Sequence, residues 1–209
     1  MNYILESGYL FPFFIFAWVL SIYFRQKIIF YVFSVLIVSL FYFFRDITYS
    51  IPRNPYQLNS PCQGTVLSVK RETDLIHLSV FLSPFDVHIQ YTPCQGEIID
   101  QTYKKGEFNM AHLFEKSNYN ERMETTIRNN VFGEVKIFQI AGLLARSIVP
   151  FYNKGDTIEQ NVPFGLIRLG SRVDIILKDS KKYQIAIKQG DKIKIGDPII
   201  TTNSPPPQP

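Results

Sequence analysis

Two places in this 209-residue chain combine residue types that could carry out acid–base or acyl chemistry. The first is His88, because an unperturbed imidazole exchanges a proton at a pH of about 6.5 and can serve as donor or acceptor near neutrality. The second is Ser171, whose hydroxyl follows Gly170 between two apolar runs. Glycine lacks a Cβ, so the backbone there can be tight and admit a close approach. Taken singly, these residues equally fit a half-buried strand histidine and an ordinary Gly-Ser turn.

Arginine supplies a second kind of chemistry, because a guanidinium can hold a carboxylate or a phosphate with two donors. The candidates for such binding are Arg146, Arg168 and Arg172. A further polar group, which could cap a turn and supply an ion pair, consists of Asn120, Glu121 and Arg122. We expect Asp86 to hold backbone or a neighbouring ring, and His77 and His112 to be structural or exposed.

Composition excludes several other classes of protein. The formal net charge of +4 is small and no block of Lys and Arg is present, which argues against nucleic acid as a partner. Cys62 and Cys94 cannot build a disulfide framework. Neither lies in a CxxC or Cys/His array that would hold zinc, so we predict no metal site. The chain also has no recognisable site for pyridoxal phosphate.

The first 50 residues differ in character from the rest of the chain. Residues 8–24 and 28–44 carry no charge and are separated by Arg25, Gln26 and Lys27, which predicts a hydrophobic helical hairpin over residues 1–50. At a rise of about 1.5 Å per residue, each arm is near the lower limit for crossing a hydrocarbon core of about 30 Å. A re-entrant anchor and two true spans both stay open, and a buried core hairpin is the third alternative. We predict a protein that stays attached to a membrane.

From residue 51 onward the pattern changes to short apolar or alternating runs, punctuated by Gly, Pro, Asn and Asp, which predict strands. The predicted fold class is mainly β, a β-rich barrel-sandwich-like domain over residues 51–203. Helix is predicted only around 109–116, and the Pro-rich tail 204–209 cannot join a sheet. The predicted strands are 64–70, 75–82, 88–91, 96–101, 135–141, 147–151, 164–169, 173–177, 184–187 and 199–201.

Two internal echoes refine this picture. Residues 60–66 (SPCQGTV) resemble 92–98 (TPCQGEI), and residues 154–158 (KGDTI) resemble 189–193 (QGDKI). Each predicts a turn that feeds a strand. Spaced Gly-rich turns occur in biotinyl and lipoyl carriers and in adaptor proteins of export pumps, so they indicate a scaffold and not a reaction. No Met-Lys pair lies in a hairpin turn to carry biotin, whereas an adaptor subunit of a membrane transporter stays an alternative.

A longer series of motifs runs through the chain. It comprises 43–46 (FFRD) with Pro52, 60–61 (SP) with Gly64, 83–88 (SPFDVH) with Pro93 and Gly96, 120–122 (NER), 139–142 (QIAG) with 145–146 (AR), and 165–174 (GLIRLGSRVD). In this order, from the hairpin to Ile200, the series resembles the short, archaeal-type phosphatidylserine decarboxylases. One piece alone would be weak, but six in register are specific.

The resemblance implies a membrane-attached proenzyme that cuts itself between Gly170 and Ser171, so that its partners include its own fragments 1–170 and 171–209. Attack of the Ser171 hydroxyl on the Gly170 carbonyl turns the amide into an ester, and elimination with loss of ammonia leaves a pyruvoyl group. This pyruvoyl group, derived from Ser171, is the implied cofactor for decarboxylating phosphatidylserine to phosphatidylethanolamine. His88 is the implied proton donor.

A phospholipid substrate gives the candidate binding residues a possible ligand. The three arginines are candidates for its phosphate or carboxylate, with simple solvation as the alternative, and Asn120, Glu121 and Arg122 are candidates for contact with the headgroup. Membrane phospholipid is the expected partner, and a homodimer is compatible with the sequence. A hairpin that holds the domain at the interface spares a diacyl lipid from leaving the bilayer.

The chain departs from the family's pattern beside the proposed site. Where the family has Ser-Pro-Ala-Asp-Gly, residues 60–64 read SPCQG, so Gln63 replaces an aspartate. In the family that carboxylate helps the histidine activate the serine, and an amide cannot accept a proton. An active enzyme requires compensation by Asp86, Cys62 or a changed geometry. The alternative is an uncleaved, inactive, membrane-anchored lipid-binding homologue.

Overall fold

The computed structural model describes residues 10–43, 45, 50–111, 114–143, 148–167 and 171–203. The chain divides into two compact units, Met1–Thr48 and Tyr49–Pro209. Gly170, Arg146, Arg168 and His112, for which the sequence analysis made predictions, fall outside the described residues.

The first unit is a helical hairpin of α1 (Leu10–Tyr23) and α2 (Lys27–Phe43). The two helices pack through aromatic side chains, with the Trp18 and Phe30 rings stacked at a centroid distance of 5.3 Å. The Trp18 indole N–H donates to Ser34 Oγ at 2.8 Å, and that hydroxyl donates to the Phe30 carbonyl at 2.8 Å. Polar groups in the middle of the hairpin are therefore satisfied within it, as an apolar environment requires.

The outer faces of this hairpin are apolar and exposed. Phe16 and Val35, one on each helix, both expose 65% of their surface. Among the described residues, neither helix has the length and apolar character needed to cross a membrane.

The second unit is mainly β, as predicted. Its strands are β1 (Gln57–Asn59), β2 (Gly64–Glu72), β3 (Leu75–Leu82), β4 (Ile89–Tyr91), β5 (Gly96–Lys104), β6 (Arg122–Asn129), β7 (Gly133–Ala141), β8 (Ile148–Pro150), β9 (Thr157–Ile158), β10 (Pro163–Ile167), β11 (Ser171–Lys178), β12 (Tyr183–Ile185), β13 (Lys192–Ile193) and β14 (Pro198–Thr202). One short helix, α3 (Phe114–Ser117), precedes β6. The helix expected around 109–116 is thus a single turn, because Asn109 is held instead by backbone and side-chain bonds to Asn120 at 2.8 Å.

The described strands form three open sheets. The largest has eight strands in the order β13-β2-β3-β11-β7-β6-β5-β9, and the other two have the orders β4-β10-β8 and β1-β14-β12. Side chains alternate between the two faces of a strand, so Val173, Ile175 and Leu177 of β11 point into the core cluster. Ser171 lies on that same inner face.

Three segments of the chain connect the eight-stranded sheet to the β4-β10-β8 sheet, and their described ends lie beside one another. In the large sheet β11 lies between β3 and β7, and in the small sheet β10 lies between β4 and β8. Each flanking strand of the first sheet is followed in sequence by the corresponding flanking strand of the second. We call this passage the strand crossover, made of residues 82–89, 141–148 and 167–171.

The two sequence echoes form one repeated structural unit. Val66 exchanges two backbone hydrogen bonds with residues 190–191, each of 2.9 Å, and Ile98 exchanges two with residues 155–156, of 2.9 and 2.8 Å. The same exchange joins Ser60 to residues 196–197 and Thr92 to residues 161–162. We call residues 60–66 with 190–197 the first turn unit, and residues 92–98 with 155–162 the second turn unit.

Both turn units contain a glycine, Gly64 in the first and Gly96 in the second, where the backbone of a neighbouring strand comes very close. A Cβ on Gly64 would lie 2.2 Å from the carbonyl oxygen of Phe81, and a Cβ on Gly96 would lie 2.2 Å from that of Arg128. No side chain fits at such a distance from a neighbouring backbone. Glycine is therefore required at both positions by the close approach of the next strand.

Candidate active site

Ser171 lies at the strand crossover as the first residue of β11. It pairs with Leu82 of β3 on one side and with Ala141 of β7 on the other. The residue is completely buried, and its Oγ has no hydrogen-bond partner among the described residues. An unsatisfied buried hydroxyl costs about 1–3 kcal/mol, which makes Ser171 a candidate for a functional residue.

The crossover brings the segment that carries His88 to the segment that contains Ser171. Leu82 pairs with Ser171, and six residues later the His88 carbonyl accepts a hydrogen bond of 3.3 Å from the N–H of Ile167. Residues 82–88 and 167–171 therefore begin and end beside each other. Both segments are anchored by sheet hydrogen bonds at their two ends.

Ala141 and Ile148 anchor the third segment of the crossover in the same way. Ala141 pairs with Ser171, and Ile148 pairs with Ile167. Residues 142–147, which include Arg146, thus connect two positions that flank the same three-residue segment, 168–170. The described flanks converge on one place, although Arg146 and Arg168 themselves are outside the described residues.

His88 is 1% exposed, and its ring is oriented by the preceding loop. The distance from His88 Nδ1 to the Asp86 backbone oxygen is 2.8 Å. A carbonyl can only accept a hydrogen bond, so this contact requires that Nδ1 carries the proton. In the neutral ring, Nε2 then carries the lone pair and is the nitrogen that can accept a proton.

Two buried glutamines hold the His88 backbone from the other side. The amide of Gln90 donates to the His88 carbonyl at 2.6 Å, and Gln139 Nε2 donates to Gln90 Oε1 at 2.9 Å. Gly165 of β10 leaves room for this pair, since a Cβ there would lie 2.7 Å from Gln139 Nε2. Gln139 Oε1 is buried and has no partner within the described parts of the chain.

Asp86 closes the loop that precedes His88. Its Oδ2 accepts from both the N–H and the hydroxyl of Ser83, at 2.8 Å each. Its Oδ1 accepts from Gln63 Nε2 at 3.2 Å. The expectation that Asp86 holds backbone therefore matches the geometry, and Gln63 acts as a donor to it.

Cys62, the neighbour of Gln63, cannot act as a thiolate base. Burial, followed by the charge of Asp86, raises the pKa of its thiol far above the ordinary range. Cys94, which holds the same position in the second turn unit, has its pKa raised to about 12 by burial. Both thiols stay neutral at physiological pH.

Arg172 occupies the opposite face of β11 from Ser171 and is 1% exposed. Its guanidinium donates to Ser117 Oγ at 2.6 Å and to Asn118 Oδ1 at 2.7 Å, and it forms an ion pair of 3.0 Å with Asp174. Burial lowers the pKa of Arg172, against the effect of Asp174. Through these contacts Arg172 holds the 117–118 turn on the sheet.

His77 lies beside the same carboxylate, with Nε2 3.4 Å from Asp174 Oδ2.

Asn120 and Glu121 brace the end of β7 at Ala141. Asn120 Nδ2 donates to the Ala141 carbonyl at 2.7 Å, and the Ala141 N–H donates to the Glu121 carbonyl at 2.9 Å. Burial, and next a hydrogen bond to Glu121, raise the pKa of Tyr103 to about 12. Arg122 is bound to Glu124 at 2.7 Å. The group does cap a turn and form an ion pair, and it supports the strand that flanks Ser171.

Sequence reasoning gave no role to Gln90 and Gln139, although Gln139 belongs to a motif used in the resemblance. The available signal was a polar residue at an inward position of the apolar strand β7, where Val135 and Ile137 also point into the core. A buried amide in such a row needs partners, and it marks a network that the hydrophobic pattern does not explain.

The candidate site thus consists of a buried serine and a buried histidine, on two segments of one strand crossover in a mainly β protein. The sequence matches the phosphatidylserine decarboxylase family over residues 38–201. The chain therefore belongs to the phosphatidylserine decarboxylase family.

Its curated relatives include proenzymes from distant organisms. A phosphatidylserine decarboxylase proenzyme of Solibacter usitatus is 40% identical over 79% of this chain and 80% of its own length. One from Pelagibacter ubique is 34% identical over 79% of this chain and 80% of the relative. A Methanosarcina mazei protein named for an archaetidylserine decarboxylase proenzyme is 34% identical over 77% of this chain and 73% of the relative. The archaeal likeness expected from the motifs is confirmed.

Proposed function

We propose that this chain is a phosphatidylserine decarboxylase proenzyme that cuts itself between Gly170 and Ser171. The observation that carries the proposal is the convergence of a buried, unpartnered Ser171 hydroxyl and the His88 segment at one strand crossover, as far as the described residues extend. Family membership supports the reaction class, and the pairing of the Ser171 and His88 segments at the crossover supports the choice of these two residues.

Self-cleavage uses groups of the chain together with one water molecule. His88 Nε2 takes the proton from Ser171 Oγ, which bonds to the Gly170 carbonyl carbon while the peptide C–N bond breaks and the nitrogen gains a proton. Loss of the Ser171 Cα proton then expels the Gly170 carboxylate from Cβ. Water replaces the resulting enamine nitrogen, which leaves as ammonia, and residue 171 becomes a pyruvoyl group.

The residues present fit this group, since Ser171 is buried and its hydroxyl is not used by any described neighbour. The pyruvoyl ketone supplies the electron sink that decarboxylation of an amino acid requires. Burial of the site keeps bulk water away from the reacting carbon. In this proposal His88, whose ring is oriented by the Asp86 carbonyl, holds and returns a proton there.

The surroundings suit a membrane phospholipid as substrate. Phe85, in the loop that leads to His88, exposes 75% of its surface, and Leu143, just after β7, exposes 52%. These apolar side chains lie on segments of the crossover, where they can contact the acyl chains of a lipid. Withdrawing a lipid fully into water would cost about 0.8 kcal/mol per methylene. We propose that the exposed apolar hairpin of α1 and α2 keeps the domain at the membrane surface.

The fragments 1–170 and 171–209 stay together in this proposal. β11 begins the second fragment and is hydrogen-bonded along its length to β3 and β7 of the first. The cut breaks one backbone bond at the crossover and leaves both ladders in place.

Mass spectrometry of the purified full chain tests the proposal. We expect one fragment that ends at Gly170 and one that begins at a blocked residue 171, with the Ser171→Ala variant intact as control. Phosphatidylserine vesicles should yield phosphatidylethanolamine and carbon dioxide with the cut protein only. A wild-type chain that stays in one piece after prolonged incubation contradicts the proposal and favours the inactive lipid-binding homologue.

A further inference from the structure

We propose that Gln63 is a positioning residue that acts as a hydrogen-bond donor, and that the backbone carbonyl of Asp86 takes over the histidine-orienting part of the family carboxylate. The inference rests on the proposed self-cleavage, because it explains how His88 is prepared for that step. It treats Gln63 as a working part of a rearranged site and not as a lost acid.

The His88 ring has a defined tautomer. Its Nδ1 lies 2.8 Å from the Asp86 carbonyl oxygen. Since that oxygen has no proton, the contact fixes the Nδ1–H form and leaves the lone pair on Nε2. Orienting a catalytic imidazole and choosing its tautomer is the task that a carboxylate performs in other sites. Here a neutral backbone group performs it.

The Asp86 carbonyl is held in place through the carboxylate of the same residue. That carboxylate accepts two bonds from Ser83 of its own loop and one from Gln63. Ser83 closes the turn on itself, whereas Gln63 belongs to the first turn unit. The Gln63 bond is therefore the described side-chain contact that ties the Asp86 carboxylate to the turn that leads into β2.

The anchor of this bond is rigid. Gln63 precedes Gly64, whose backbone is packed so closely on Phe81 that no Cβ fits. Phe81 lies only two residues before Ser83. The donor and the loop that it holds are thus mounted on adjacent strands, β2 and β3, in fixed register. A movement of the Gln63 amide passes directly to Asp86 and from there to the His88 ring.

The charge at position 63 separates two interpretations. An amide supplies the donor that the Asp86 carboxylate accepts, whereas a glutamate of the same length has no donor and repels it. If Gln63 works as a donor, the Gln63→Glu variant cleaves more slowly than wild type. If Gln63 is only a lost acid, the variant regains a carboxylate and cleaves faster.

The chain offers a matched control in the second turn unit. Gln95 occupies the position equivalent to Gln63 but is exposed, and its backbone carbonyl accepts from Asn129 Nδ2 at 2.8 Å. Substitution of Gln95 changes the same residue type in the same turn without touching the His88 loop.

The experiment measures the rate at which fragments appear in Gln63→Glu, Gln63→Leu, Gln95→Glu and Gln95→Leu. We expect Gln63→Glu to slow cleavage by about 10-fold, which is less than the roughly 100-fold or more that loss of the general base itself costs, and Gln63→Leu to slow it by less. Both Gln95 variants should cleave at the wild-type rate. A Gln63→Glu protein that cleaves as fast as wild type or faster overturns the inference.

A second readout does not depend on cleavage. Nitrogen-15 NMR of histidine-labelled Ser171→Ala protein reports the tautomer, and the His88 signal is the one that His88→Ala removes. We expect the Nδ1–H form, and its loss in Gln63→Glu but not in Gln95→Glu. A ring that carries its proton on Nε2 refutes the inference even if wild type cleaves. If wild type stays uncut while the Nδ1–H form is found, the proposed function fails and the positioning role stands.

Discussion

The two turn units share one pattern of backbone hydrogen bonds but lead into different connections. In both, a Pro-Cys-Gln-Gly turn feeds a strand whose glycine packs on the next strand, and both bind a second Gly-Asp turn through paired backbone bonds. They differ in the connection that leaves the packed strand. After Phe81 the first unit leaves the sheet through the loop to His88, whereas after Arg128 the second turns back at once into β7.

The difference shows that the repeated turn builds the scaffold and the connection builds the site. Gln63 meets Asp86 because the first unit's connection is long enough to fold over it. Gln95 has Asn129 of a tight hairpin beside it instead. In our proposal the same four residues therefore support the reaction in one unit and only the architecture in the other.

The largest expected effect on the rate of self-cleavage comes from a substitution in the connection that follows β3, compared with a substitution in β3 itself. His88→Ala should slow self-cleavage by about 100-fold or more, because it removes the general base. His77→Ala is the matched control, since His77 lies in β3, the strand that runs into the His88 loop, and contacts Asp174 on the outer face. We expect it to cleave within about threefold of wild type. Fragment appearance by mass spectrometry decides, and equal rates for the two variants would break the comparison.

The next effect tests whether the two scaffolds are energetically alike. Gly64→Ala and Gly96→Ala each place a Cβ 2.2 Å from a backbone oxygen. We expect each to lower the free energy of unfolding by about 1–3 kcal/mol, as overpacking does. Denaturant unfolding of the uncut Ser171→Ala protein measures both losses. A cost confined to one glycine would show that the units share sequence without sharing packing.

The smallest effect concerns the paired thiols. Burial raises the pKa of Cys94 to about 12 and raises that of Cys62 as well, while an unfolded thiol ionises at about 8.5. Above that pH the unfolded state loses protons that the folded state keeps, so stability is present below it and falls as pH rises. The slope is about 1.4 kcal/mol per pH unit for each thiol.

Unfolding of the Ser171→Ala protein at pH values of about 8 and about 9.5, on either side of the ordinary thiol pKa, measures this slope. Cys62→Ala and Cys94→Ala should each remove about one thiol's share of it. The slope, and not the absolute stability, is the readout, because either substitution also removes a buried sulfur. An unchanged slope in either variant would mean that the corresponding thiol is not shielded from solvent.

Much of the scaffold was predictable because its signals are local. The Gly-rich echoes marked turns, and β3 was predicted with its observed bounds, Leu75–Leu82. β6 was missed because two of its four inward positions are Thr125 and Asn129, which break the apolar alternation. The short pairs β9 and β13 were missed for another reason, since two residues form a strand only when a distant partner is present.

The site was less predictable because its parts are joined by distant contacts. His88 and Ser171 were identified through motifs, but the crossover that relates them depends on pairing between distant strands. Gln63 was interpreted as a missing acid, since sequence shows the residue type and not the carboxylate that it meets. Asn120 and Arg172 similarly gain their meaning from Ala141 and Asp174, whose contacts only the folded chain provides.

Because β11 lies in the middle of the large sheet, the proposed self-cleavage can occur only after the domain has folded. The strand that begins at Ser171 pairs with β3 and β7 on either side. In the same β domain, β1 pairs with β14, which lies near the other end of the described chain. A nascent polypeptide cannot assemble the junction until these late segments have emerged and docked. If the chain matures as proposed, the reactive ketone therefore forms only in completely folded molecules, and its presence marks a finished domain.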